Sequence, residues 1–286
     1  MEITKKMRLT IRFHGSFLRI LANLVIIMVI FPPFGLTQSF WLGLDHDKYF
    51  TIEIFKPYFD AEDNTSFKNY SMFFSLRLPI GKDVLITGEL PFAKGDLLGD
   101  SNLSVTAGQS LGNPYLGIEI RSQGSPVHLE VGFRIPIIRN ERRSDWITGL
   151  FSDIDRSEAF APNIISGQAI LNHEHKDAKG KFFRARLGPI LWINEKTREN
   201  DMFLSYGFQL GYELNKVILR GGFTGRAILS EKNLGLGERT VHQLGVALQY
   251  TFGYVTPGLH IKIPLDNDLT QVLDYVLSLN VKFLLR

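Results

Sequence analysis

The chain has 286 residues, 44% of them hydrophobic and 21% charged, with a formal net charge of +3 and no cysteine. The apolar content is too high for a disordered chain, and no clean apolar run in its body reaches the ~18–20 residues of a membrane helix. The small charge, with no basic helix and no nucleic-acid-reading motif, argues against a nucleic-acid partner. The missing cysteines remove disulfides, thiolate zinc sites and cysteine nucleophiles. The 26 glycines and 22 phenylalanines suit tightly curved sheets in which small residues make room for large ones.

The amino terminus reads as an address. Lys5, Lys6, Arg8, Arg12 and Arg19 precede the apolar run Ile20 to Phe31, broken only by Asn23. The run is short for a bilayer span and suits the hydrophobic region of a signal peptide. Thr37 and Ser39 are small enough for a cleavage site. A signal peptide is therefore expected over 1–39 and one domain over 40–286, the alternative being an uncleaved anchor helix.

From about residue 49 onward the chain falls into period-two stretches separated by turn residues. Twelve are expected, at roughly 49–59, 68–80, 83–93, 112–122, 126–138, 163–175, 181–194, 201–214, 216–229, 240–252, 254–265 and 272–285. Each is long for a soluble strand and right for a tilted strand crossing a bilayer. In "MFLSYGFQLGYEL", Met202, Leu204, Tyr206, Phe208, Leu210, Tyr212 and Leu214 share one face; after Asn215-Lys216 the alternation restarts as "VILRGGFTGRAIL". That is a hairpin. No helix-period stretch is expected after the signal segment, so the fold class is all-β.

Connections after even-numbered segments are short, and most after odd-numbered ones are longer, such as "DAEDNTSFK", 94–111 and 139–162. A soluble sandwich requires no such alternation. An outer-membrane barrel does, with tight periplasmic turns at one end and external loops at the other. The expected fold is an antiparallel transmembrane β-barrel of about twelve strands, ten to fourteen allowing for a further strand pair in 139–162. A soluble lipocalin-like or sandwich protein, with its apolar face inside, is the alternative.

On the face expected to point into the barrel lie the cations Arg77, Arg121, Arg134, Arg184, Arg186, Arg220, Arg226, Lys262 and Lys282, and the anions Glu53, Glu89, Glu119, Glu130 and Glu213. They read either as a solute path with a positive bias or as an ion-pair lattice that fills a narrow barrel. Arg184, Arg186, Arg220 and Arg226 are the leading candidates for a polar wall. The pair His173 and His175 could share a metal but lacks a third ligand nearby in sequence. Nothing calls for a cofactor. The charged stretch "RNERRSDWITGLFSDIDRSEAF", with Trp146, Leu150 and Phe151, is expected to form a small lid or short helix over the mouth.

The stretch "ITGELPFAKGD … GNPYLGIEIRSQGSPVHLEVGFRIPI" resembles a family of bacterial outer-membrane transporters associated with meta-pathway phenol degradation, distant relatives of the fatty-acid and toluene channels. Leu90-Pro91, Gly112-Asn113, Leu116-Gly117 and Gly132 to Pro136 carry the resemblance, and "HQLGVALQYTFGYVTPGLHIKIPLDND" is similar to the family's penultimate hairpin. The resemblance implies passive uptake of hydrophobic or aromatic small molecules and implies nothing residue by residue about binding. Two features depart from it. Only Phe40 to Lys48 precede the first strand, where the fatty-acid channels carry a plugging hatch, and the interior face is more cationic than a hydrophobic path requires.

The expected function is passive passage of small solutes across the bacterial outer membrane. Its partners would be outer-membrane lipid, the barrel-assembly machinery during insertion, and the solute. The last strand, "YVLSLNVKFLLR", resembles an assembly signal in its alternation but not at its tip. A non-transporting structural or adhesive barrel is the second reading, and a surface enzyme the third. The twelve-stranded outer-membrane phospholipase carries histidine and serine two apart on one strand, and no His-x-Ser occurs here.

Overall fold

The computed structural model describes residues 39–42, 48–59, 69–95, 107–122, 124–139, 144–231, 233 and 235–285. The expected signal peptide, apart from Ser39, and residues 96–106 of the glycine-rich loop lie outside them.

Strands run in chain order as β1 (Tyr49–Phe59), β2 (Tyr70–Ile80), β3 (Val84–Gly95), β4 (Gly108–Leu111), β5 (Tyr115–Arg121), β6 (Val127–Arg134) and β7 (Ile164–Lys176). They continue as β8 (Lys181–Asn194), β9 (Asn200–Leu214), β10 (Val217–Ile228), β11 (Thr240–Tyr250), β12 (Val255–Pro264) and β13 (Leu273–Leu284). Every pairing is antiparallel, and β1 closes on β13, with Tyr49 opposite Leu284 and Glu53 opposite Asn280. Because β4 and β5 pair with successive halves of β3, they occupy one position in the wall. The result is a closed barrel of twelve strands.

The alternation of the sequence determines which face is which. Along β11, Gln243, Ala247 and Gln249 are buried, whereas Leu244, Val246 and Leu248 are exposed. Along β13, Ser278, Asn280 and Lys282 are buried, and Leu277 and Leu279 exposed. The polar set is thus inside and the apolar set outside, the reverse of a soluble barrel and the arrangement that lipid contact selects. Aromatic pairs mark both ends of the outer belt. Tyr250 meets Phe252 at 4.3 Å between ring centroids near the tight turns, and Tyr58 stacks on Tyr275 at 4.4 Å near the long loops.

The tight turns all lie at one end, called here the turn end; the long connections form the loop end. Each of the five turns carries one residue in the left-handed region: Gly81, Gly124, Gly180, Asn215 and Gly253. Gly180 has a second reason to lack a side chain, because a Cβ there would strike the carbonyl oxygen of Glu213.

The 139–162 connection corrects two expectations. Among its described residues it holds no strand pair, and the short helix expected to lid the mouth lies elsewhere. Helix α1 (Ser144–Ser152) and a 3-10 helix (Ile154–Ala159) follow one another, and both enter the barrel instead of covering its mouth. Short helices α2 (Leu236–Arg239) and α3 (Asn267–Thr270) sit in two other loop-end connections.

Candidate functional site

The wall is built to receive the insert. Between β4 and β5 the ladder breaks at Gly112-Asn113-Pro114, where proline cannot donate a hydrogen bond. Asn113 serves the freed backbone on both sides. Its Nδ2 donates to the carbonyls of Glu158 (3.0 Å) and Ala161 (2.8 Å), and its Oδ1 accepts from the amides of Ile137 and Ile138. Its own amide donates to Ala159 at 2.6 Å. A Cβ on Gly112 would lie 2.5 Å from that same carbonyl oxygen, and one on Gly95 would overlap the backbone of Ser144. Close approach of insert and wall therefore depends on these two glycines.

Arg156, on the 3-10 helix, holds the insert to the wall. Its Nη1 lies 2.9 Å from Glu53 Oε1 of β1 and 2.5 Å from Glu89 Oε2 of β3, and its Nε donates to Asp153 Oδ2 at 2.7 Å. The guanidinium lies over the Phe73 ring, 3.8 Å from its centroid. Asp153 accepts in turn from Lys262 Nζ of β12 at 2.6 Å, Arg134 holds the other oxygen of Glu89 at 2.6 Å, and Arg226 of β10 bonds Glu158 at 2.8 Å. Four cations face four carboxylates, and a buried cluster of this kind persists only when every charge has a partner. Burial alone would raise the carboxyl of Asp153, but Lys262 and Arg156 outweigh it and hold the group below the usual carboxylate range. Beside the cluster, Phe55, Phe73, Ala93 and Phe160 form the buried apolar part of the interior.

Toward the turn end the interior receives residues 39–42. Phe40, Trp41 and Leu42 are buried. Arg184 Nη1 donates to the carbonyls of Phe40 (2.8 Å) and Leu42 (2.7 Å), and Arg220 Nη1 to that of Trp41 (3.0 Å). The Trp41 ring lies against His260 at 4.4 Å, and its Nε1 donates to Asp155 of the insert at 3.3 Å. Residues 39–42 thus do occupy the interior, against the expectation that the segment before β1 is too short to act as a hatch. Gly245 makes room for Trp41, since a Cβ there would stand 2.5 Å from the indole.

The remaining sequence candidates are distributed around these two inserts. Arg77 and Arg121 both bind Glu119, at 2.7 and 2.8 Å. Glu130 accepts from Gln168 and Asn172. Arg186 is buried with its guanidinium 5.4 Å from the Phe40 ring centroid, and Lys282 lies over Tyr49 at 5.5 Å. Glu213 stands apart, half-exposed at the rim and paired with Lys176. His173 faces outward beside the Phe183 ring, and no group of three metal-ligating side chains forms among the described residues. The sequence reading missed Asp153, Arg156, Glu158, Asn113 and the pair Phe40-Trp41.

Two cavities stand out among the described residues. One, of about 600 Å³, opens at the turn end between Lys82, Arg121, Glu174 and Lys176. The other, of about 290 Å³, lies at the loop end beside Arg226. Catalytic pairing is weak in between. His260 and Ser278 are cross-strand neighbours, yet neither His260 Nε2 nor Ser278 Oγ has a hydrogen-bond partner among the described residues, so the contact of a base with its nucleophile is not made there.

No protein-family model matches the chain, and no curated protein matches it in sequence. Solved structures do match in shape. An outer-membrane channel from Pseudomonas putida F1 aligns over 87% of this chain and 100% of its own, with TM-score 0.57 and 11% identity. The NanC porin aligns over 82% and 100%, with TM-score 0.53 and 9% identity. LpxR from Salmonella typhimurium aligns over 83% and 100%, with TM-score 0.50 and 11% identity. This chain has the fold of an outer-membrane β-barrel. At such low identity the likeness extends to the fold and not to individual site residues.

Proposed function

We propose that this barrel is a passive solute channel of the bacterial outer membrane, held closed here by the inserted loop and by residues 39–42. The observation that carries the reading is the manner of closure. Both inserts are fastened to the wall by side-chain ion pairs and hydrogen bonds from Arg156, Arg184, Arg220 and Arg226, contacts that water can replace. The turn end would face the periplasm, with the apolar belt in lipid and the charged interior as the path. Aromatic or hydrophobic small molecules are the proposed solutes, in keeping with the resemblance to phenol-degradation transporters.

The competing reading, a non-transporting barrel, is favoured by the balance of four cations against four carboxylates around Arg156. Planar-bilayer conductance and liposome swelling separate the two. The channel reading expects discrete openings and uptake of small solutes by the full chain, increased when the insert is released by Arg156→Gln. A barrel silent both before and after that substitution would be a closed structural element.

A further inference from the structure

We infer that the loop-end cavity is a binding site for a single-ring aromatic molecule carrying a hydrogen-bond acceptor oxygen. Its walls are Trp192, Phe203, Ile228 and Val241 from β8 to β11, together with Ile154 of the insert, and Arg226 forms its polar side. At about 290 Å³ it exceeds the roughly 150 Å³ that accommodates benzene in an apolar protein cavity. The two aromatic walls are themselves organised around the cation. The Arg226 guanidinium carbon lies 5.4 Å from the Trp192 ring centroid and 5.1 Å from that of Phe203.

Two donors set the chemistry. Arg226 is 95% buried, since only 5% of its surface is exposed, and its Nη1 is fully engaged with Ile154 O, Ser157 Oγ and Glu158 Oε2. Its Nη2 and the indole Nε1 of Trp192 are both shielded from solvent and lack a partner among the described residues. A buried donor left unsatisfied is costly, so a ligand that fits an aromatic ring between the walls gains further by presenting an acceptor. The charges near the cavity are mixed. Arg226 is offset by Glu158, and Arg239 and Glu238 stand at the rim, with Glu238 accepting from its own Gly235 amide. Recognition therefore rests on the acceptor oxygen, which a carboxylate and a neutral carbonyl both provide.

As the first stop of a transported solute the cavity rests on the channel reading, whereas binding can be measured independently of it. The full chain in phosphatidylcholine nanodiscs is titrated calorimetrically with acetophenone, benzoate and ethylbenzene, and empty discs are subtracted. Saturable binding of acetophenone or benzoate is expected, with ethylbenzene at least about tenfold weaker for want of an acceptor. Trp192→Phe, which keeps a ring and removes Nε1, should weaken the acceptor-bearing probes several-fold more than it weakens ethylbenzene. Val241→Trp should fill the cavity and abolish all three. Ethylbenzene binding as tightly as acetophenone, or no saturable binding of any probe to the wild-type chain, overturns the proposal. Passage in liposomes without binding sinks the site and leaves the channel; binding without passage does the reverse.

Discussion

Arg156 and Glu89 are 67 residues apart in sequence and 2.5 Å apart in the barrel. Glu89 is held from two sides, by Arg156 of the insert and by Arg134 of the wall. The wall thus presents a carboxylate already fixed by one guanidinium, and the insert supplies the second. Closure of the interior is a property of this three-residue relay more than of apolar packing.

Arg156→Gln would leave Glu53, Glu89 and Asp153 close together with one cation fewer. Removing one partner of a buried pair costs on the order of 3–5 kcal/mol, and the cost falls on the insert, because the barrel ladder does not involve Arg156. Release of the insert with retention of the barrel is expected. Protease cleavage within 144–162, with unchanged heat-modifiable migration on gels, would register it.

The Asp153 contacts that seat the insert should persist in mild acid. The Asp153 carboxyl has its folded-state pKa depressed, so it contributes stability that is fully present above the unfolded value of about 4 and is lost as pH falls through the lower folded value. The share of insert seating that Asp153 supplies is expected to be lost only below about pH 4, read as a rise in insert cleavage in stronger acid. Lys262→Met, which removes a cation that favours the charged carboxyl, should move that rise to higher pH.

Gly112→Ala and Gly95→Ala test the docking surface without altering charge. Each places a methyl group against insert backbone, which cannot give way as a flexible side chain can. Both are expected to increase conductance and protease access, whereas Gly88→Ala, whose Cβ would meet nothing within 4 Å, should behave as wild type.

Trp41 provides an optical marker of the amino-terminal segment. In a Trp146→Phe, Trp192→Phe background its emission should be blue-shifted and poorly quenched by acrylamide, since the residue is 2% exposed. Arg220→Ala, which removes the donor to its carbonyl, should shift the emission to the red and increase quenching.

The belt is testable by charge. Val246 points outward near the middle of β11 and is 48% exposed. Val246→Arg should destabilise the barrel in lipid by about 2–4 kcal/mol, read from urea unfolding in liposomes.

The wall was legible in the sequence because lipid and interior impose opposite chemistry on alternate residues, so Leu244, Val246 and Leu248 separate from Gln243 and Gln249 by parity alone. The insert was not. Helix α1 buries Ser144, Asp145, Thr148 and Ser152, a polar face packed into a polar interior, and such a face reads as solvated surface. Two arginines of one connection make the same point. Arg139 is 59% exposed at the rim and pairs with Glu195, while Arg156 is 1% exposed at the centre of the interior. Charged residues flank both, Glu141, Arg142 and Arg143 beside the first and Asp153, Asp155 and Glu158 beside the second, and either setting suits a solvated loop; the register of the insert against Asn113 is what buries Arg156. The break at Gly112-Asn113-Pro114 was the available signal, since proline interrupts a ladder.

The contacts of the insert straddle the line where the barrel closes. Glu53 belongs to β1 and Lys262 to β12, on opposite sides of the β1–β13 seam, and the segment Asp153–Arg156 grips both. The grip as a whole is complete only when the first and last strands have met. The insert is therefore an internal stitch across the seam, held by charges from both margins of the sheet. The plug of this barrel is thus anchored where the sheet meets itself, although the ladder that closes the seam does not depend on it.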